Sequence, residues 1–203
     1  MVAANQSAFI RGRCIHDNFI LVQQTVKVLH RQNMPSLFLK LDISKAFDSV
    51  SWAFLLEVLS HLGFGMTWCN MVSNLLYTST TRIMLNGEPG GVIQHQRGLR
   101  QGDPLSPVLF ILVMDVLNSI IVKGEEDGLL QPLSRRISGQ RLSLFADDVA
   151  LFTRPVEEDL QVTKEILNAF GMASGLRTNL SKSSIIPIQC FFSNAQESCA
   201  SIY

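Results

Sequence analysis

Residues Arg141–Phe152 read RLSLFADDVALF, an apolar run broken at its centre by two adjacent aspartates, Asp147 and Asp148. Burying even one carboxylate among Leu144, Phe145, Val149 and Leu151 costs several kcal/mol unless a cation or strong hydrogen bonds compensate it. The Leu-, Val- and Phe-rich flanks are too short for two helices, so the stretch reads as strand, tight turn, strand with the aspartates at the turn. Strand side chains alternate between faces, so one of the pair aims fully into a shared site, and the reading takes Asp147. Taken alone, the pair also fits a turn that caps its own backbone.

Upstream, SLFLKLDIS from Ser36 alternates, with Leu37, Leu39, Leu41 and Ile43 on one face and Phe38, Lys40 and Asp42 on the other. This predicts a strand that carries Asp42 at its C-terminal end, opposite the aliphatic face. If this strand and the aspartate hairpin are neighbours in one sheet, Asp42, Asp147 and Asp148 form a hard-oxygen site of the kind Mg²⁺ prefers. Two divalent ions about 4 Å apart support in-line nucleotidyl transfer.

The remaining pattern places helices around such a sheet. Helical spacing runs from Asp17, as cap, to about Arg31. Ser51 caps a helix from Trp52 to Leu62 closed by Gly63, and Thr67 begins another that reaches Tyr77. Two strand-like runs between Thr80 and Gln96 flank Asn86-Gly87, a hairpin signal. The loop RGLRQGDPLSP leads to Ser106 as cap and Pro107 at the first turn of an apolar helix reaching about Lys123. Leu105–Val122 approaches the length of a membrane span, but Asp115, Asn118 and Ser119 interrupt it, and the reading is a buried central helix. Lys123–Arg136 reads as a surface connection. A helix opened by Glu157, Glu158 and Asp159 ends at Gly171 or Gly175, and SSIIPI forms a last strand. Helices and strands mix without strict alternation, so the fold class is α+β, with helices packed on one face of the sheet.

Composition narrows the setting. The chain has 203 residues, 47% of them hydrophobic, enough for one sizeable core. Seventeen Lys and Arg balance seventeen Asp and Glu, so attraction to nucleic acid must come from local clusters. The four cysteines show neither CxxC spacing nor a histidine partner, which points away from zinc and from a disulfide framework. With no apolar leader or lipidation signal, the expected setting is soluble and intracellular, nuclear or cytoplasmic, without membrane.

LDISKAFDSVSW, RGLRQGDPLSP, LFADDVALF and GLRTNLSKS stand in the order of reverse transcriptase motifs A to D, and QSAFIRGRCIHDN resembles the block before motif A. From about Gln6 to Cys190 the chain thus resembles the reverse transcriptase domain of non-LTR (LINE-type) retrotransposons, most like those of plants. The resemblance implies a polymerase palm with partial fingers over residues 1–190 and a small antiparallel sheet carrying the catalytic aspartates, and the tail over 191–203 is expected to be divergent and disordered. It implies an RNA-directed DNA polymerase that uses two Mg²⁺ ions, with Mn²⁺ as substitute. The partners implied are an RNA or DNA template, a DNA primer, deoxynucleoside triphosphates and, in a longer polyprotein, further fingers, thumb and endonuclease segments.

Carried over residue by residue, the resemblance makes Asp42 and Asp147 the principal metal ligands, with Asp148 beside them and Ile43 following Asp42 in the metal set. Ile43, Ser44, Lys45, Ala46 and Phe47 would cradle the triphosphate, with Phe47 as the gate against a ribose 2′-hydroxyl. Gln101 and Gly102 would meet the incoming nucleotide and template, and Lys182 would protonate pyrophosphate. Arg11, Arg13, Arg97 and Arg100 lie where phosphates could pass. Asp48 and Asp103 read as turn-stabilising residues and Asp115 as a polar member of its helix. The alternatives are a truncated, inactive retrotransposon remnant and a non-catalytic nucleic-acid-binding module.

Overall fold

The alternating residues of Ser36–Leu41 form β1, whose Leu37, Leu39 and Leu41 are buried while Lys40 is exposed. The structure is a computed structural model that describes residues 2–134 and 141–190; the expected tail over 191–203 lies outside the described residues. The run quoted at the outset folds as β4 (Leu142–Phe145) and β5 (Asp148–Thr153), joined by Ala146 and Asp147. With β6 (Ser184–Ile188), these make an antiparallel sheet in the order β4-β5-β1-β6. Pro187 sits on the outer strand, where a missing amide donor is tolerated.

One face of the sheet carries the main core. Leu39, Leu41, Leu142, Leu144, Val149 and Leu151 share a cluster with Leu55 and Leu59 of α3 (Trp52–His61) and Val72 of α4 (Met66–Tyr77). The cluster also takes Phe110, Val113, Met114 and Leu117 of α5 (Ser106–Glu126) and Phe170 of α6 (Glu157–Ser174). Eleven α5 residues are buried, so the span-like helix is the core helix the sequence predicted. The other face carries a smaller cluster, Phe38 stacked on Phe152 at 5.1 Å with Ile188, and Leu29 of α1 (Ile15–Arg31) covers it.

Several boundaries move. Asp17 is not the cap of α1 but stands three residues inside, accepting from the Cys14 amide at 2.9 Å in a capping-box geometry. Ser106 is the first residue of α5 rather than its cap, Gly65 and not Thr67 opens α4, and Gly175, at φ 82°, ends α6. The connection after α5 is not wholly superficial, because Leu130 and Leu133 are buried. Nearby, Arg141 at the foot of β4 is 2% exposed, 3.4 Å from Glu125 and 3.8 Å from Asp159. Burial pulls its guanidinium pKa down, and the two carboxylates oppose that shift.

β2 (Thr80–Leu85) and β3 (Glu88–Gln94) form the Asn86-Gly87 hairpin, with φ of 50° and 86° at the two loop residues. Nearly all of it is exposed.

Candidate active site

Asp42 follows β1 directly, and the β1–β5 register, continued one residue beyond Leu41↔Val149, sets it across from Asp148. Opposed residues of antiparallel strands are about 5 Å apart at Cα and point to one face. Asp147 is the second loop residue of the β4–β5 hairpin, so strand alternation does not govern its direction. Strand parity therefore does not single out Asp147: the register aligns Asp148 with Asp42, and Asp147 adjoins them in the turn. Asp42 is half-buried; Asp147 and Asp148 are exposed.

Among the described residues, none of these three carboxylates accepts a hydrogen bond or joins an ion pair. Nor are three or more His, Cys, Asp or Glu side chains already gathered at metal-binding distances. Like charges on neighbouring strand ends repel, so convergence on one point requires a cation between them. Three uncompensated oxygen donors at one end of adjacent strands fit a hard divalent ion. The Ile43 side chain is in the core, leaving only its backbone carbonyl as a donor.

The motif A turn is locked from two sides. Ser44 and Lys45, the latter at φ 48°, lead into the one-turn helix α2 (Ala46–Ser49), which the sequence reading did not resolve. On one flank the Gly98 amide donates to the Val50 carbonyl at 2.8 Å and the Leu99 amide to the Phe47 carbonyl at 2.6 Å. The Trp52 indole returns a bond to the Gly98 carbonyl at 2.7 Å. A Cβ on Gly98 would stand 2.7 Å from the Asp48 carbonyl oxygen. On the other flank the Ser51 amide donates to the Ser174 carbonyl at 2.7 Å, and a Cβ on Gly175 would collide with the Ser49 carbonyl. Gly98 and Gly175 are thus required by close backbone approach. Both stand in sequence blocks already singled out, but a backbone two elements away that forbids a Cβ leaves no local signal.

Phe47 is half-buried and stacks on Phe110 at 4.5 Å with 13° between the rings. The Ser44 amide donates to the Arg177 carbonyl at 2.9 Å, which removes it from the set of free amides expected there. Gln101 is exposed and donates to Asp48 at 3.4 Å; Gly102, at φ 86°, is exposed beside it. Asp103 accepts from the Leu105 amide at 2.8 Å, the turn role expected of it. Lys182 is exposed in a turn whose Asn179 amide donates to the Asp42 carbonyl at 2.8 Å and whose Ser183 hydroxyl accepts from the Asp42 amide at 3.1 Å. Arg11, Arg97 and Arg100 are exposed. Arg13 differs: its Nη1 donates to the Ala3 and Gln6 carbonyls, both at 2.6 Å, so it braces the N-terminal segment.

That segment supports the hairpin. Gln6 bridges Leu144 in parallel alignment, and Asn5 donates to the Leu142 carbonyl at 2.8 Å and to Asn118 of α5 at 2.7 Å. Asn18 of α1 donates to the Leu144 carbonyl at 2.8 Å. Asp115 accepts from the Ala3 amide at 3.0 Å, and burial raises its pKa. A cavity of about 450 Å³ lies instead between α6 and β1, lined by Leu39, Leu41 and Leu167. Leu39 and Leu41 belong to the sheet face opposite Asp42, so this volume is not where the carboxylates act.

A strand ending in aspartate beside a hairpin bearing two more, over a helical layer, defines a nucleic-acid polymerase palm. The profile of the family described as reverse transcriptase (RNA-dependent DNA polymerase) matches residues 1–194, and the chain belongs to that family. It is 29% identical over 184 residues to the uncharacterized 149 kDa protein of transposon TX1 from Xenopus laevis, covering 91% of this chain and 14% of that protein. It is 30% identical over 183 residues to the retrovirus-related Pol polyprotein from the type-2 retrotransposable element R2DM of Drosophila melanogaster, covering 87% of this chain and 16% of the other. The chain thus spans less than a fifth of the length of these curated relatives, which are non-LTR retrotransposon proteins. Among solved structures, apo telomerase from Candida tropicalis truncated from its C-terminal domain aligns at TM-score 0.66 and 13% identity. That alignment covers 93% of this chain and 37% of the telomerase, and it shows a shared fold. Reverse transcriptases as a family use divalent metal ions.

Proposed function

We propose that this chain carries the palm of an RNA-directed DNA polymerase, over residues 1–190 with part of the fingers, acting inside the cell. It would add deoxynucleotides to a DNA primer on an RNA or DNA template. The observation that carries the reading is the set of three uncompensated carboxylates, Asp42, Asp147 and Asp148, at the neighbouring ends of β1 and the β4–β5 hairpin in a reverse transcriptase chain. Asp42 and Asp147 would hold two Mg²⁺ ions, or Mn²⁺ in their place, with Asp148 beside them and the Ile43 carbonyl as a further donor. Metal held there would supply Lewis acidity toward the primer 3′-hydroxyl and the departing pyrophosphate.

The chain's own residues position the reactants. Amides of Lys45, Ala46 and Phe47, at the start of α2, have no intrahelical acceptors and would face the triphosphate. Stacking on Phe110 fixes the Phe47 ring, as a gate against a 2′-hydroxyl requires. Gln101 and Gly102 would meet the nucleotide and template, and Arg11, Arg97 and Arg100 the backbone phosphates. Lys182, on the turn bound to the Asp42 backbone, would give its ammonium proton to pyrophosphate.

Addition of a single deoxynucleotide to a DNA primer on an RNA template tests the reading. The isolated chain should act slowly, non-processively and with strong salt sensitivity, since its formal net charge is zero and positioning contributes about 7 to 11 kcal/mol at best. Addition should vanish in Asp42→Asn and Asp147→Asn. Addition that persists in both variants would overturn the assignment. Phe47→Val should admit ribonucleotides more readily, and unchanged discrimination would make Phe47 a packing residue alone.

A further inference from the structure

Ala146 is an unusual residue for its place. It is the first loop residue of the β4–β5 hairpin, it immediately precedes Asp147, and its φ is 54°, a left-handed conformation that non-glycine residues adopt at a cost of about 1 to 2 kcal/mol. The hairpin loop itself offers no glycine or asparagine to favour that conformation, so something outside the loop must hold it. Gln6 is in position to do so. Its side chain is fully buried, and its Oε1 accepts from the Ala146 amide at 3.3 Å and from the Ala8 amide at 2.9 Å.

Two backbone donors on one side-chain oxygen fix the orientation of the amide group. Its Nε2 is left buried without an acceptor among the described residues, a local loss that only a return elsewhere offsets. The backbone on either side of Gln6 is anchored too: the Ser7 amide donates to the Leu144 carbonyl at 3.2 Å and the Leu144 amide to the Asn5 carbonyl at 2.9 Å.

We propose that Gln6 is a positioning residue for the metal site: it holds Ala146 in its left-handed conformation and so sets the direction in which Asp147 leaves the turn. Gln6 touches neither metal nor substrate; it acts through the Ala146 amide. The inference rests on the polymerase reading only for what Asp147 does, because the turn geometry exists without it.

The test uses Gln6→Met, which keeps the length and volume of the side chain and removes the acceptor, and reads two quantities in the full chain. Hydrogen exchange at the Ala146 amide should accelerate about fivefold relative to the Val149 amide, the loss of one net hydrogen bond being worth about that factor. Mn²⁺ affinity, measured on folded protein, should fall by a similar factor, and Ala146→Gly in the same background should recover part of it, since glycine needs no help to reach positive φ. A purely structural Gln6 would lower the melting temperature and leave the Mn²⁺ affinity of the folded protein unchanged; that result, or unaltered Ala146 exchange, overturns the proposal. If the wild-type chain bound no Mn²⁺, the metal site would fail as a reading, while the exchange comparison would still decide whether Gln6 holds the turn.

Discussion

The described residues include two hairpins with two-residue loops, and they are built on opposite principles. β2 and β3 turn on Asn86-Gly87, residues that accept the positive φ both positions require, and the two strands are nearly all exposed. β4 and β5 turn on Ala146-Asp147, a pair with no such preference, and their aliphatic side chains lie in the main core. The first turn is written in its own residues. The second is imposed by Gln6, Asn18, Asn5 and the core beneath it. A hairpin that must present carboxylates in one direction gains from being set by distant residues, because a rigid support fixes the direction that a self-sufficient turn leaves free.

The contrast breaks most visibly in the core. Leu144→Ala, at a fully buried β4 position, should lower stability by about 2 to 5 kcal/mol, read by denaturant unfolding. A loss below about 1 kcal/mol would mean that the β4–β5 hairpin does not depend on its surroundings. Gly87→Ala should cost roughly 1 kcal/mol, because alanine resists φ of 86°, with the effect confined to amide protection in β2 and β3. Spread of that loss into β4 would join the two hairpins into one cooperative unit. Ile93→Thr, at a side chain 47% exposed, should change stability by less than about 0.5 kcal/mol, and a larger loss would show that the outer hairpin has a packing partner.

What the sequence revealed follows the same division. β1, the aspartate hairpin, the Asn86-Gly87 hairpin and the central helix were legible because each carries a local period or turn signal. The candidate carboxylates were legible because charge inside an apolar run demands an explanation. Strand alternation does not extend to Asp147, since a loop residue has no strand parity. Gly98 and Gly175 pressing on the α2 backbone, Gln6 under Ala146 and Arg13 bonded to Ala3 and Gln6 stayed hidden, because each depends on a partner distant in sequence or on a loop conformation that no spacing announces.

The claim that Asp42 and Asp147 share a divalent-metal site is tested most directly by titrating Mn²⁺ into the wild-type chain, Asp42→Asn and Asp147→Asn, with bound ion followed by electron paramagnetic resonance. Saturable binding by the wild type, competed by Mg²⁺ and weakened at least about tenfold in each variant, is the predicted result. Equal Mn²⁺ affinity in all three proteins would contradict it.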